Sequence, residues 1–383
     1  MRVLTDWADL ETLRAPWDEL TAASGASPFV SHRWLSLWSK AFGESFAPRI
    51  IQVWRDGQLV GAAPLGLTSH RIRHLPFGVS VRCLAALSNH ETPLSQWLFA
   101  PGHEDALDKM LEATADNSIG CDMCKLEPLP DDATTGKLRE RASRLGFPLT
   151  WCATASSVTV DVSNGWEAYL AARSKNFRKK IRRERRALEG AEHRWLRGRS
   201  DGSAVLERAF AVSVESWKGR AGTAIGSTDD QRAFYRALWD GLGPEGAMEV
   251  NLLEIEGKEA GSLVAIRHGD IAYGVKVDFV EDFGGYSPGR MMVADFVERC
   301  ADDGLREVDM LRRSRFTEEF SEEGYVLGRL QLFPRWNLPA LWYNLEERLR
   351  PIGRGWRHER RRGQRRRGAH VQKGDDASNE ARS

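Results

Sequence analysis

Tyr286-Ser287-Pro288-Gly289-Arg290 joins two segments of the chain that have different hydrophobic periodicity. Residues 271–280 before it, Ile-Ala-Tyr-Gly-Val-Lys-Val-Asp-Phe-Val, are apolar and rich in β-branched side chains, which predicts a strand. Residues 291–300 after it, Met-Met-Val-Ala-Asp-Phe-Val-Glu-Arg-Cys, carry apolar side chains at helical spacing. A glycine-containing loop at a helix start presents unpaired N–H groups and the positive end of the helix dipole, which favours phosphate or pyrophosphate binding. The alternative interpretation is an ordinary Ser-Pro-Gly turn.

The size and composition of the chain predict a globular protein with two domains and some additional segments. It has 383 residues, of which 42% are hydrophobic and 28% are charged. No apolar run reaches the roughly 18 residues of a membrane span, and the N-terminus lacks the apolar core of a secretory signal. The cysteine count is odd, which favours a reducing compartment, and Cys121 and Cys124 are interpreted as structural thiols. We therefore expect a cytoplasmic protein without a metal site.

Charge is distributed unevenly along the chain. The net charge is +1, but residues 348–367 contain ten Arg and one Glu, which leaves the remainder mildly acidic. Such a distribution is not that of a general nucleic-acid-binding domain, and we expect no DNA partner. The Arg-rich segment is expected to contact RNA, an anionic membrane surface or another protein, or to aid solubility.

Periodicity and turn signals indicate an α/β protein. The predicted elements of the first part are helices at Trp7–Ala22 and Ser31–Phe42, with Ser31 as the cap of the second, a hairpin turning at Asp56-Gly57, a helix at Glu104–Asp116, a strand at Asp122–Glu127 and a helix at Ala133–Leu145. About two hundred residues later the hairpin recurs, with Glu256-Gly257 at its turn and Gly261 in the place of Gly61. This weak internal repeat predicts two α/β units built on one plan, and the alternative is a coincidence between two common turns.

Residues 175–189 form the densest run of charge outside the C-terminal segment. Between 175 and 186 there are eight basic residues and one acidic residue, while Phe177, Ile181 and Leu188 fall on one stripe. This pattern predicts an amphipathic helix with a strongly cationic face. Because so many like charges repel one another, we favour an anionic ligand over a merely solvated surface.

Five pieces of sequence, in this order, resemble one known family. They are the segment 28–38, the basic helix 176–188, the segment Glu215-Ser-Trp-Lys-Gly-Arg-Ala-Gly-Thr-Ala224, the second hairpin with Asp278 and Tyr286–Arg290, and Gly304-Leu-Arg-Glu-Val-Asp-Met-Leu-Arg312. The chain resembles the GNAT-superfamily acetyltransferases of the CelD/BcsL type, which are related in fold to the FemAB aminoacyltransferases. The resemblance covers residues from about 10 to 335. After the Leu311-Arg312 pair this chain reads Arg-Ser-Arg-Phe where the family usually has Gly, an acid and Tyr-Lys, so the family's acceptor-binding role is not carried over to that segment.

The resemblance implies two tandem GNAT-like units with mixed central sheets flanked by helices, an α/β or α+β fold. We expect an N-terminal, degenerate, acceptor-side unit at 1–155 and a C-terminal acyltransferase unit at 156–335. A basic helical extension at 336–368, with a helix at Leu338–Leu349, and a disordered tail at 369–383 are expected to follow. Since no Gly-rich strand–loop–helix junction follows the first hairpin, the first unit is expected to form one wall of the acceptor groove.

The resemblance also implies acetyl-CoA or another acyl-CoA as co-substrate and an amine or hydroxyl acceptor. The candidate cofactor-binding residues are Ser287, Pro288, Gly289, Arg290, Lys276, Arg178 and Lys179. The candidate catalytic residues are Asp278 and Glu254 as bases and Tyr286 as proton donor. The candidate substrate-binding residues are Trp217, Lys218, Arg220, Asp309, which is also a third candidate base, and Arg312. Two alternatives remain open, an aminoacyl-tRNA-dependent FemAB-like transferase and a non-catalytic scaffold that docks on membrane or RNA.

Overall fold

The computed structural model describes residues 1–71, 80–198 and 202–334, together with residues 342 and 345. Apart from those two residues, the helix predicted at Leu338–Leu349 lies outside the described residues. The basic extension and the C-terminal tail predicted by the sequence lie outside them as well.

The described chain alternates helices and strands. The strands are β1 (Arg2–Leu4), β2 (Ala47–Pro48), β3 (Ile50–Arg55), β4 (Gln58–Ala63), β5 (Leu65–Arg71), β6 (Ser80–Ala86), β7 (Leu98–Phe99), β8 (Met123–Pro130), β9 (Leu149–Ser156), β10 (Thr159–Asp161), β11 (His193–Gly198), β12 (Met248–Ile255), β13 (Lys258–His268), β14 (Ile271–Phe279), β15 (Glu307–Asp309) and β16 (Val326–Leu332). The helices are α1 (Arg14–Ser24), α2 (His32–Phe42), α3 (Ala106–Thr114), α4 (Ala133–Arg144), α5 (Trp166–Ala172), α6 (Lys175–Glu189), α7 (Gly202–Glu215), α8 (Trp217–Ala221), α9 (Asp229–Leu242) and α10 (Pro288–Asp302). Among the described residues, none of these helices is long and apolar enough to cross a membrane.

Three mixed or antiparallel sheets carry these strands, so the predicted α/β fold with mixed sheets flanked by helices is confirmed. Their strand orders are β1-β3-β4-β7, β2-β5-β6-β8-β16-β9 and β10-β15-β14-β13-β12-β11. Most predicted elements are present, including the cap of α2, where Ser31 accepts a hydrogen bond from the N–H of Trp34. The helix predicted from Trp7 differs, because Trp7–Leu13 is 3₁₀ and the α-helix begins at Arg14. Pro16 explains this boundary, since proline is tolerated only in the first turn of an α-helix.

The two hairpins repeat each other residue for residue. In both, the residue before the turn glycine has positive φ, 47° at Asp56 and 52° at Glu256. Both ladders also slip by one residue at the same place, after Val53 in the first and after Leu253 in the second. A Cβ added at Gly61 would lie 2.7 Å from Ala106 of α3, and one at Gly261 would lie 3.1 Å from Met292 of α10. Each glycine therefore allows a later helix to pack closely on its hairpin, as expected of two units with one plan.

The final strand does not join the sheet of the residues that precede it. β16 lies between β8 and β9, antiparallel to both, in a sheet otherwise built from the first part of the chain. Conversely, β10, which follows β9 in the chain, leaves the second sheet and pairs with β15 in the third. The chain therefore crosses between the two sheets near residue 157 and returns after residue 323. The alternating sequence of β16 indicates a strand but does not select its partners.

Aromatic side chains from both halves of the chain form one continuous core. The ring centroids of Trp34 and Phe234 are 5.2 Å apart, and those of Phe29 and Tyr273 are 5.4 Å apart. Trp34 and Phe234 belong to α2 and α9, and Tyr273 belongs to β14. This packing holds loops of the first part of the chain against β14, the strand that leads to the predicted phosphate loop.

Candidate active site

The strands β14 and β15 run side by side for three residue pairs only. They are parallel from Ile271–Glu307 to Tyr273–Asp309, where β15 ends, whereas β14 continues to Phe279. The turn at Leu311, with a φ of 57°, directs the chain away from β14. Beyond Tyr273, β14 thus has no partner strand on this side among the described residues, and such an edge can accept an extended ligand arm by strand-like hydrogen bonds.

A β-bulge decides which side chains of β14 face the first part of the chain. The ladder with β13 passes from Gly274–Ala265 to Lys276–Val264, so Val275 is an extra residue. A bulge reverses the alternation of side chains along a strand. Tyr273 packs on Phe29, and after the bulge Lys276 and Asp278 come to the same face. Without the bulge, these two charged side chains would point to the opposite face from Tyr273.

Lys276 forms an ion pair with Glu91, a residue that the sequence did not single out. The Lys276 Nζ lies 3.0 Å from Glu91 Oε2, and the Glu91 side chain is fully buried. Tyr235 donates a hydrogen bond of 2.7 Å to the same oxygen, and Gln231 donates one of 2.9 Å to the other. The nearby loop 88–91 follows the buried strand β6, and loops of this kind often carry functional groups. That polar run after a strand was the available signal for Glu91.

Burial of the Glu91 carboxyl tends to raise its pKa, but its partners outweigh that effect. The hydrogen bond from His90, the charge of Lys276 and the hydroxyl of Tyr235 together lower the pKa of Glu91 to about 2. Glu91 is therefore ionised at neutral pH and is the counter-ion of Lys276 beside the bulge.

Asp278 is buried two residues further along β14. Its side chain is 1% exposed, and its Oδ1 lies 2.6 Å from the Nζ of Lys218. Lys218 also donates a hydrogen bond of 3.0 Å to the carbonyl oxygen of Val277. The short helix α8 thus places one ammonium group directly on this carboxylate. The structure brings together three predicted site residues, Lys276, Asp278 and Lys218.

Asp309 occupies the end of β15, where the two strands separate. Tyr325 donates a hydrogen bond of 2.6 Å to its Oδ2, and the N–H of Leu311 donates one of 2.7 Å to its Oδ1. Burial raises the pKa of Asp309 to about 6, although these two hydrogen bonds oppose the shift. A carboxyl group with such a pKa can exchange a proton near neutral pH.

Replacing Asp309 by Asn is expected to reduce the loss of folding stability that Asp309 causes in the wild type between pH 4 and pH 7. Because the pKa is raised in the folded state, the folded protein binds this proton more tightly than the unfolded chain. Stability from Asp309 is therefore present below about pH 4 and is lost as the pH rises through about 6, by roughly 2 kcal/mol. Urea unfolding of wild type, D309N and the exposed control D302N at both pH values measures this. Equal pH dependence in all three proteins would contradict the assignment.

The predicted phosphate loop is a strand–loop–helix junction, as the sequence indicates. The loop Glu281–Tyr286 is a 3₁₀ segment, and α10 begins at Pro288 after Ser287, which has a φ of 51°. No side chain of the described residues caps α10. Pro288 has no N–H, and the N–H groups of Arg290 and Met291 donate to the carbonyl oxygen of Ser287, so among the described residues the N–H of Gly289 is the one left for a ligand in the first turn. Gly289 lies against Phe279, where a Cβ would come within 2.7 Å of the ring.

Arg290 is held by carboxylates rather than left free for phosphate. Its Nη1 lies 2.5 Å from Glu184 Oε1, and its Nε lies 3.0 Å from Glu319 Oε2. The hydroxyl of Ser287 donates to the same oxygen of Glu184 at 3.1 Å. Glu184 is the buried carboxylate of the basic helix, so it fixes α6 against the start of α10.

The basic helix α6 has two different charged faces. On one, Lys180 pairs with Glu319 at 2.8 Å, and Arg185 pairs with Glu298 at 2.5 Å. The other, here called the cationic face, lines an open cavity of about 790 Å³ with Lys175, Arg178, Lys179, Arg182, Arg183 and Arg186. Arg178 also donates hydrogen bonds to the carbonyl oxygens of Ala171 and Arg173. The cationic face therefore lies beside α5, which supplies the rest of the cavity wall.

Glu254 and Tyr286 lie apart from the Lys276–Asp278 group. Glu254 forms ion pairs with Arg194, at 2.6 Å, and with Arg208. The hydrogen bond from Arg194 and the other contacts lower the pKa of Glu254, which makes it a weak base. Tyr286 donates its hydroxyl to Glu256 of the second hairpin at 3.5 Å.

The remaining predicted substrate-binding residues are Trp217, Arg220 and Arg312. Trp217 is 48% exposed at the start of α8, and Arg220 pairs with Glu281 of the loop at 2.5 Å. Arg312 lines a second cavity, of about 470 Å³, whose other lining residues come from the first part of the chain. Within the described ranges, no cluster of acidic, His and Cys side chains is arranged to hold a metal ion.

Comparisons with known proteins agree with this geometry. Residues 175–322 match the acetyltransferase (GNAT) domain family, and no curated protein sequence matches the chain. The structure of FemX is similar at 12% identity, with a TM-score of 0.57, over 90% of this chain and 99% of that one. The C-terminal domain of a putative lysylphosphatidylglycerol synthetase from Agrobacterium fabrum is similar at 10% identity, with a TM-score of 0.55, over 89% and 95%. L-PGS from Bacillus licheniformis is similar at 12% identity, with a TM-score of 0.53, over 88% and 95%. At these identities the solved structures establish a shared fold.

Proposed function

We propose that this protein, which carries a GNAT acetyltransferase domain in its second half, is an acyl-CoA-dependent N- or O-acyltransferase of the CelD/BcsL type in the cytoplasm. One observation carries the proposal. A strand with a free edge, β14, leads through the loop 281–286 to the uncapped start of α10. The edge suits a pantetheine arm, and the helix start suits a pyrophosphate.

The cationic face of α6 supports the same donor. Acyl-CoA carries a phosphate on its ribose in addition to the pyrophosphate, and Lys179 and Arg182 line a cavity on α6, the helix that Glu184 joins to the start of α10. Arg290 is assigned a supporting role, because its pairs with Glu184 and Glu319 join the loop, α6 and α10. In this proposal, backbone N–H groups and α6 bind the phosphates.

The Lys276–Asp278 group supplies the charges that acyl transfer requires. The acceptor nitrogen or oxygen attacks the thioester carbon, a new C–N or C–O bond forms, the C–S bond breaks, and the thiolate takes a proton from solvent. Lys276, which pairs with Glu91, stabilises the negative charge that develops on the thioester oxygen. Asp278 accepts the proton from the acceptor. The ammonium of Lys218 marks the position that an acceptor amine would take, 2.6 Å from the carboxylate.

Replacing Gly285 by Glu is expected to weaken CoA binding by at least about tenfold relative to Gly285→Gln. Both side chains fit, because a Cβ at Gly285 meets nothing within 4 Å, whereas any side chain at Gly289 collides with Phe279. The pair of variants therefore isolates the effect of one negative charge beside the pyrophosphate. Calorimetric titration with acetyl-CoA and with CoA measures it. Absence of CoA binding to wild type at millimolar concentrations would refute the proposed donor, and equal binding by both variants would refute the location.

The cationic face also favours a second candidate, a transferase that takes its acyl group from aminoacyl-tRNA. Six basic side chains line one cavity of about 790 Å³. That is more positive charge than the ribose phosphate of CoA requires. Contacts with several backbone phosphates make binding fall steeply with salt. Co-purifying tRNA, and tRNA binding that K179Q and R182Q reduce while the wild type fails to bind CoA, would establish this alternative.

A further inference from the structure

The second cavity lies where the first part of the chain meets the end of β15. Its volume of about 470 Å³ falls within the range of small-molecule sites. Most of its wall comes from β5, β6, β8 and the loop after β6, and Arg312 closes it from the other side. Two of its lining residues, Ser88 and Asn89, immediately precede His90 and Glu91, which belong to the Lys276 network. Arg312 stands three residues after Asp309.

The cavity has an excess of positive charge. Its one carboxylate, Glu127, is already bound by Arg329, with 2.7 Å between Oε2 and Nε. Lys125 stands 3.8 Å from the same oxygen, too far for a hydrogen bond. Arg312 is exposed and has no ion pair among the described residues. Arg312 therefore remains for an anionic ligand, and Lys125, whose ion pair with Glu127 is long, adds a second cation to the lining.

Hydroxyl and amide groups supply the rest of the polar lining. Thr68, Ser88, Asn89 and Thr154 surround the cavity, with Phe46 and Pro128 as apolar contacts. Such groups can donate and accept hydrogen bonds, as the hydroxyls of a sugar do. A flat apolar or aromatic contact beside several hydroxyls also suits a sugar ring. The combination favours a hydroxylated molecule that carries an anionic group.

We propose that this cavity, here called the acceptor pocket, binds a phosphorylated amino sugar, with Arg312 and Lys125 on the phosphate. The assignment rests on the proposed acyltransferase function and adds the chemical class of its acceptor. Arg312 and Lys125 act as specificity residues and take no part in the bond changes.

Calorimetry with glucosamine 6-phosphate and with glucosamine, in the presence of CoA, tests the acceptor pocket. Wild type is expected to bind the phosphorylated sugar at least about tenfold more tightly, since a charge-assisted bidentate contact is among the strongest polar contacts. R312Q and K125Q are expected to remove most of that preference. R315Q is the matched control, because Arg315 is an exposed arginine close in sequence that does not line the pocket.

The outcomes separate the acceptor from the donor. No phosphate preference in wild type, no binding of glucosamine 6-phosphate at 10 mM ligand or below, or equal losses in R315Q and R312Q would each overturn the acceptor pocket. A separate titration with CoA alone tests the donor. If wild type binds CoA but does not discriminate between the sugars, only the acceptor assignment fails. If the phosphorylated sugar binds in an Arg312-dependent way without CoA affinity, the acceptor pocket stands and the proposed donor fails.

Discussion

Replacing Asp278 by Asn is expected to lower kcat/KM for acyl transfer by about 10²- to 10⁴-fold while CoA affinity stays within about twofold of wild type. The side chain is 1% exposed, so asparagine preserves its shape and packing and keeps an oxygen beside Lys218. What the substitution removes is the ability to take a proton. The loss should therefore appear in the acyl-transfer step and not in donor binding.

The measurement is steady-state transfer from acetyl-CoA to an amine acceptor at pH 7, with the exposed Asp302→Asn at the far end of α10 as control. D302N should match wild type, whereas D278N should lose turnover. A decrease smaller than about threefold would remove Asp278 from the chemistry. A decrease accompanied by an equal loss of CoA binding would show that Asp278 only supports the fold of the loop.

Replacing Glu91 by Ala is expected to lower the free energy of unfolding by about 3–5 kcal/mol, because it leaves Lys276 without its counter-ion in a buried place. Removing the carboxylate also leaves the hydroxyl of Tyr235 and the amide of Gln231 without their acceptor. Urea unfolding at pH 7 measures the loss. Glu112→Ala, an exposed pair with Lys109, should cost no more than about 1 kcal/mol.

The isosteric Glu91→Gln distinguishes a positioning role from a purely structural one. Since the pKa of Glu91 is lowered to about 2, its ionised form stabilises the fold above about pH 4.5, and this contribution is lost as the pH falls toward 2. E91Q should unfold with a smaller dependence on pH in that range. If Glu91 positions Lys276, folded E91Q should also lose kcat with little change in the KM for acetyl-CoA. Unchanged kcat in a folded E91Q would contradict the positioning role.

Much of the fold was predictable because the turn, cap and periodicity signals lie within short segments of the sequence. The hairpins at Asp56-Gly57 and Glu256-Gly257, the cap at Ser31 and the stripe of α6 each depend on residues close in sequence. The junction from β14 to α10 was predictable for the same reason. The position of β16 was not, because its partners lie more than 150 residues away and its alternating pattern fits any half-buried sheet edge.

The site was less predictable than the fold. Simple alternation from Tyr273 would place Lys276 and Asp278 on the opposite face of β14. Only the bulge at Val275 shows that all three side chains share a face. Glu91 lies 185 positions before its partner Lys276 in the numbering of the chain, so no spacing rule connects them. Glu254 was a reasonable candidate base by strand position, but two arginines that the sequence did not place beside it hold it ionised.

The place of β16 has a consequence for how the protein is made. In the second sheet, β16 (residues 326–332) lies between β8 and β9 and pairs with both. Those residues leave the ribosome after nearly all the other described residues. Until then, two strands of the nascent chain expose unpaired edges, which are templates for pairing with other chains. The strands β10 to β15 are thus synthesised before the second sheet can close. A chain truncated before residue 326 would retain an open sheet.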